Sequence, residues 1–290
     1  MMINPILERE LKTRMRTWKT PILLLIYLAI LGMVVAISFF AEYNSYSYGM
    51  SGFDPSFVTG IYIAITLFQL GLLLFILPVF TATAITGERE RQTLDLLLCT
   101  DISPWSIILG KLSAALSFVF LMIFAALPFT GIILLFGGVT LFDLLKIMLF
   151  YMATAVMVSS IGMFCKTHFK KNISSIVMSY ILFGATLALP VVFLIVLSIF
   201  SNSYYGDSNT FNNFMEKFDY EVMLIIFGSN PFYGATNLVT GVGGGDFMYL
   251  YWFGGGMGSG STFLRHIEPW MANMIWYVVV SVIGLFSSRR

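Results

Sequence analysis

Six long apolar stretches, at about 21–41, 57–82, 105–136, 141–164, 173–200 and 269–287, set the pattern of this chain. Each matches the ~20 apolar residues that a helix needs to cross a hydrocarbon core. The pattern predicts an all-α polytopic membrane protein with six transmembrane helices. Pro78, Pro128 and Pro190 fall inside spans, where each removes a helix hydrogen bond and invites a kink that neighbouring helices must re-satisfy. Gln69, Ser117, Thr154, Ser159, Ser160 and Ser179 are polar positions deep in spans and are read as helix–helix hydrogen-bonding groups. Asp143 and Lys146, three residues apart at the start of the fourth span, are expected to pair near the outer interface.

Ahead of the first span, Ile3, Leu7, Leu11, Met15 and Trp18 recur every three or four residues, with Arg9, Lys12, Arg14, Arg16 and Lys19 on the other faces. Asn4-Pro5 supplies a cap and first turn, and Glu8 and Glu10 sit near the positive end of the helix dipole. This predicts an amphipathic helix over residues 1–20 lying in the headgroup plane with Trp18 at the interface. The apolar stretch that follows is long enough to span and lacks a small-x-small exit, so it reads as a span and not as a cleaved leader.

Between spans two and three lies the main charged island, residues 83–112. It contains Gly87-Glu88-Arg89-Glu90-Arg91-Gln92-Thr93-Leu94-Asp95-Leu96-Leu97-Leu98, then Asp101-Ile102-Ser103-Pro104-Trp105 and Gly110-Lys111. A block of four alternating charges belongs in water or against another protein, not in lipid. Leu94, Leu97 and Leu98 share a helical face, and Ser103-Pro104 reads as a cap followed by proline at the first position of a new helix. A second loop, 165–172, is basic and carries Lys166, His168, Lys170 and Lys171. Residues 201–268 form the largest non-spanning piece, with a short apolar run from Val222 to Phe227 that reads as a re-entrant or cap-forming element. Asn230-Pro231-Phe232-Tyr233 reads as a turn, and residues 241–260 are rich in glycine and aromatics.

Lysine and arginine fix the expected orientation. The N-terminus, the 83–112 island, the 165–172 loop and the C-terminus hold most of them, while 42–56 has none and 201–268 only Lys217 and Arg265. The positive-inside bias therefore puts both termini in the cytoplasm and the 201–268 element outside, for a multi-pass protein of a bacterial plasma membrane. Composition agrees: hydrophobic residues make up 58% of the chain and charged residues 11%, against roughly 25% charged in a soluble domain. With a formal net charge of +1, nothing in the charge balance calls for nucleic acid. Cys99 and Cys165 both fall on the reducing side in this topology, which suits unpaired thiols.

Enzymatic chemistry finds little footing. His168 and His266 are the only histidines, and the topology separates them across the membrane. A two-histidine metal site, a His-Glu-x-x-His helix, a Gly-x-Ser-x-Gly elbow and a Walker A lysine motif are all missing from the sequence. No catalytic, cofactor-binding or metal-ligating residue is assigned, and energy for any work is expected from a partner.

The string from Gly87 to Leu98, with Ser103-Pro104-Trp105 leading into Gly110-Lys111, resembles the cytoplasmic loop of ABC-2 type transporter permeases. Asn4-Pro5-Ile6-Leu7-Glu8-Arg9-Glu10 is similar to the opening of many of them. The resemblance implies the membrane subunit of an ATP-driven exporter, a single permease domain over residues 1–290 that binds no cofactor itself. It implies two ATP-binding subunits per complex, carrying ATP and magnesium, and a second permease chain forming a homodimer or heterodimer in lipid. It further implies that Glu88, Arg89, Glu90, Arg91, Thr93, Asp95 and Asp101 couple to the ATPase, with Lys166, His168, Lys170 and Lys171 as a second contact. The helix bearing Leu7, Leu11, Met15 and Trp18 becomes the connecting helix. Few buried charges favour an amphipathic or lipophilic cargo such as a peptide, drug or lipid. The alternative is a membrane sensor or scaffold that docks a cytoplasmic partner without moving anything.

Overall fold

The computed structural model describes residues 18–47, 55–90, 104–136, 139–169, 171–205, 226–240 and 269–288. They form α1 (Lys19–Ser47), α2 (Pro55–Glu90), α3 (Pro104–Phe136), α4 (Leu141–His168), α5 (Asn172–Tyr205), α6 (Pro231–Thr240) and α7 (Pro269–Ser287), with no strand among the described residues. Six of these helices are long and apolar enough to cross a membrane, and α6 is the short one. Helix starts are written plainly in the sequence. Four of them, α2, α3, α6 and α7, begin on proline, which fits a first turn whose N–H groups have no helical acceptor anyway. The fourth span is capped differently: Thr140 and Asp143 form a reciprocal capping box, Thr140 N–H donating to Asp143 Oδ2 at 3.0 Å. Asp143 also pairs with Lys146 at 3.7 Å, as the spacing predicted.

α4 is the axis of the bundle. It packs against α2, α3, α5, α6 and α7, and two-thirds of its spanning stretch is buried, 67% against 17% for α1, α5 and α7. Side-chain pairs set the register. Tyr151 of α4 donates to the Thr66 carbonyl of α2 at 3.0 Å, and further along Gly162 faces Thr81. Against α7, the Phe150 ring meets Tyr277, and Ser160 meets Gly284. Sequence numbers rise together in both comparisons, so α2, α4 and α7 run parallel, with Glu90, His168 and Ser287 at one end. Trp105 stacks edge-on against Phe286 with ring centroids 5.4 Å apart, which brings the start of α3 to that same end.

Between helices in lipid there is no hydrophobic drive, because acyl chains are as apolar as leucine; close packing and selected polar contacts must hold the bundle. The glycines show where the helices approach most closely. A Cβ on Gly162 would strike the Thr81 hydroxyl, one on Gly234 would strike Asn273 and the Phe150 ring, and one on Gly284 would lie 3.3 Å from the Ser160 carbonyl oxygen. The hydroxyl groups behave otherwise than expected. Ser117, Thr154, Ser160 and Ser179 each donate to the carbonyl four residues back in their own helix instead of to a neighbouring helix. A hydroxyl one turn above a carbonyl satisfies itself locally without any partner helix being in place. Cross-helix bonds come instead from Tyr151, Tyr180 and Asn273 and from Ser229 and Asn230 in the turn before α6.

The Asn230-Pro231 step is a helix start and not a simple turn. Asn230 Oδ1 accepts from Phe232 N–H at 2.9 Å, Pro231 takes the first helical position, and α6 runs for 10 residues with Ala235, Leu238 and Val239 buried. α6 packs on α2, α4 and α7. Of the expected re-entrant run, Val222 to Ile225 lie outside the described residues, as does the glycine-rich stretch 241–260.

Candidate functional site

The end of the bundle marked by Glu90, Pro104, His168 and Ser287 holds six of the sequence's candidate contacts: Glu88, Arg89, Glu90, Lys166, His168 and Lys171. Its main feature is α2 itself. The hydropathy pattern ends the second span near residue 82 and begins a connector there, but the helix continues unbroken to Glu90. Eight further residues extend the rod by about 12 Å at helical rise. Glu88, Arg89 and Glu90 thus stand on the last turns of a helix continuous with the span, which explains how charge and span are joined mechanically. Arg91, Thr93, Asp95 and Asp101 lie outside the described residues, and so do Leu7, Leu11 and Met15 of the N-terminal segment. Trp18 precedes α1 and is 81% exposed.

The second candidate cluster is less uniform than its basic composition suggests. The helix runs to His168, so the connection to α5 shrinks to residues 169–171, within the expected 165–172 loop. Lys166 is buried at 2% exposure in the last turn of α4, its Nζ 4.0 Å from Met163 Sδ, while His168 and Lys171 are exposed. Lys170 is outside the described residues. His168 Nδ1 lies 3.2 Å from the Phe164 carbonyl, and the Phe169 N–H closes the helix on the Cys165 carbonyl at 2.9 Å. Lys111, counted in the sequence as part of the charged 83–112 island, is also buried, at 1%. Neither burial has a signal in the sequence, since a lysine near a span end reads the same whether its stem lies along lipid or along protein.

Three residues at this end make contacts that the sequence does not announce, although Trp105 belongs to its Ser-Pro-Trp step. Trp105 pins the first turn of α3 to the last turn of α7 through Phe286. Thr81 and Gly162 bring α2 and α4 close together nine residues before the last described residue of α2. Thr81 Oγ1 donates to the Leu77 carbonyl at 2.9 Å, so its hydroxyl is fixed against Gly162. α2 thus abuts α4, the helix that packs against five of the others. Among the described residues no group of three His, Cys, Asp or Glu side chains comes together to hold a metal.

The geometry defines a polytopic helical membrane protein with a charged helical extension at one end of the bundle. The family model described as ABC-2 family transporter protein matches residues 4–289, and the chain belongs to that family. It is a membrane permease of an ABC transporter, the component that associates with an ABC ATP-binding subunit. No curated protein matches the chain.

Proposed function

We propose that this permease is half of an exporter that moves an amphipathic or lipophilic cargo (a peptide, drug or lipid) out of a bacterial cell. ATP and magnesium are held by two partner subunits, and a second permease chain, identical or different, completes the membrane part. The chain itself does no ATP chemistry. Both termini and the Glu90 end lie in the cytoplasm, in keeping with the lysine and arginine distribution. The observation that carries this reading is the unbroken α2 from span to Glu90. A helix transmits a push along its axis, whereas a flexible connector absorbs it. Closure of the partner subunits bears on Glu88–Asp101, with His168, Lys170 and Lys171 as the lesser contact; Lys166, buried in the last turn of α4, drops out of that contact. The α2 rod then shifts against α4 at Thr81–Gly162, and the spans rock as bodies around a cavity between the two permease chains.

The test is the purified complex with its ABC ATP-binding subunit, reconstituted in lipid. E88K/E90K is expected to insert normally and to lose stimulation of ATP turnover, because like charges then face whatever the acidic pair engages. Normal stimulation and transport in that variant overturn the assignment of the coupling segment. A well-folded chain that retains no ATP-binding subunit under any condition points to the sensor or scaffold reading instead.

A further inference from the structure

Pro190 lies well inside α5, and it has no N–H to offer the Thr186 carbonyl four residues back. In lipid an unanswered carbonyl is costly, so something must approach it. One side chain does and a second holds the carbonyl beside it, both from the turn that opens α6. Asn230 Nδ2 donates to the Leu187 carbonyl at 3.3 Å. Ser229 Oγ lies 3.4 Å from the Thr186 carbonyl and 2.9 Å from that of Ile226, its single proton serving either. The same turn reaches the other way. The Asn230 backbone carbonyl accepts from Asn273 Nδ2 of α7 at 3.1 Å, and Asn273 is wholly buried. Gly234, one turn into α6, is packed so closely that a Cβ there would strike Asn273 and the Phe150 ring of α4. Asn230 is thus a three-way junction: its amide nitrogen holds α5, its amide oxygen caps α6, and its carbonyl holds α7.

A second proline makes the comparison. At Pro78 of α2 the carbonyl three residues back, Phe75, accepts from the Tyr180 hydroxyl of α5. Leu187 stands in the same relation to Pro190. At Pro78 the bonding group sits on a neighbouring span, but at Pro190 it sits on a short turn that also grips α7. We propose that Ser229-Asn230 is a latch: Ser229 answers the Thr186 carbonyl that Pro190 leaves without an N–H, Asn230 holds the neighbouring Leu187 carbonyl, and the turn ties this part of α5 to α7 at Asn273. The part of α5 beyond Pro190 then changes its bend only together with α6 and α7. This reading does not depend on the cargo or on the coupling segment.

The test uses the full chain in lipid nanodiscs, with spin labels at Ile199 of α5 and Met271 of α7, both exposed positions. Interlabel distances are measured by pulsed electron resonance in a C99S background. S229A/N230S keeps a serine cap for α6 but removes the reach to α5. It is expected to broaden the distance distribution about twofold, as a bend released from its partner samples more states. Pro190→Ala restores the missing N–H, so P190A/S229A/N230S is expected to return to the narrow distribution. N273A serves as the control arm, because its bond is on the α7 side and P190A should not rescue it. Unchanged width in S229A/N230S, or broadening that persists in P190A/S229A/N230S, overturns the latch. Should S229A/N230S not fold, the triple variant decides: recovery of a monodisperse chain supports the latch, and failure to recover overturns it.

Discussion

Gly162 has no room for a methyl group, because the Thr81 hydroxyl occupies the place it would take. Gly162→Ala must push α2 and α4 apart or turn Thr81, at a cost of about 1–3 kcal/mol, the usual penalty for overpacking a filled core. A lowered thermal midpoint of the detergent-purified chain is expected, with partial recovery in G162A/T81A; equal losses in the single and double variants would show that Thr81 is not the obstacle. The tyrosines divide by the same reasoning. Tyr151→Phe loses a buried bond to the Thr66 carbonyl and is expected to cost about 1 kcal/mol. Tyr62 is equally buried, but its hydroxyl has no hydrogen-bond partner among the described residues, so Tyr62→Phe is expected to be neutral or stabilising on the same measurement. At this scale the sequence is legible where the interaction is local. The Asp143–Lys146 pair follows from spacing alone, and the Thr140-x-x-Asp143 box was there to be read. It is mute where the partner is distant: nothing in the chain says that Lys111 and Lys166 turn inward, or that Asn273 meets Asn230.

Among the elements, hydrophobicity places the spans to within a few residues, since length and composition alone decide whether a helix crosses lipid. It does not place the ends that extend past the lipid. α2 continues through Gly87 to Glu90, because a helix once begun adds residues at little cost and nothing before Glu90 breaks it. α6 escapes detection although its capped proline start is the same signal that locates α3. At 10 residues it is too short for periodicity to stand out, and its packing against α2, α4 and α7 supplies what its propensity does not. The continuity of α2 has a direct test. Ala84→Pro removes a rung between span and charged block at about 3 kcal/mol of local helix stability. In the complex with the ATP-binding subunit, it is expected to leave co-purification intact and to abolish stimulation of ATP turnover. Retained stimulation would mean that the push does not travel along α2.

For the whole molecule, the parallel run of α2, α4 and α7 agrees with the alternation of spans inferred from charge, and places Glu90, Trp105, His168 and Lys171 toward one face. If that face is cytoplasmic, a cysteine at position 171 in a C99S background reacts with an impermeant maleimide only after the cells are opened. Labelling of intact cells would invert the whole arrangement. The charge pattern gives an expected sidedness, but not the hierarchy of the helices. That α4 is enclosed while α1, α5 and α7 face mostly outward depends on which helix fills the middle, and six similarly apolar stretches do not say.

The enclosure of α4 by α7 also bears on biosynthesis. α4 leaves the ribosome long before the helix that covers its Phe150–Ser160 side, with α5 and α6 made in between. Until residues 269–288 emerge, a nascent chain carries this face uncovered in the bilayer, with α6 lacking the Asn273 amide that grips its opening turn. Arrival of α7 is thus what turns an inserted chain into a folded one. A stop codon just before Pro269 would yield a product that is fully inserted, five spans long, and marked for membrane proteolysis.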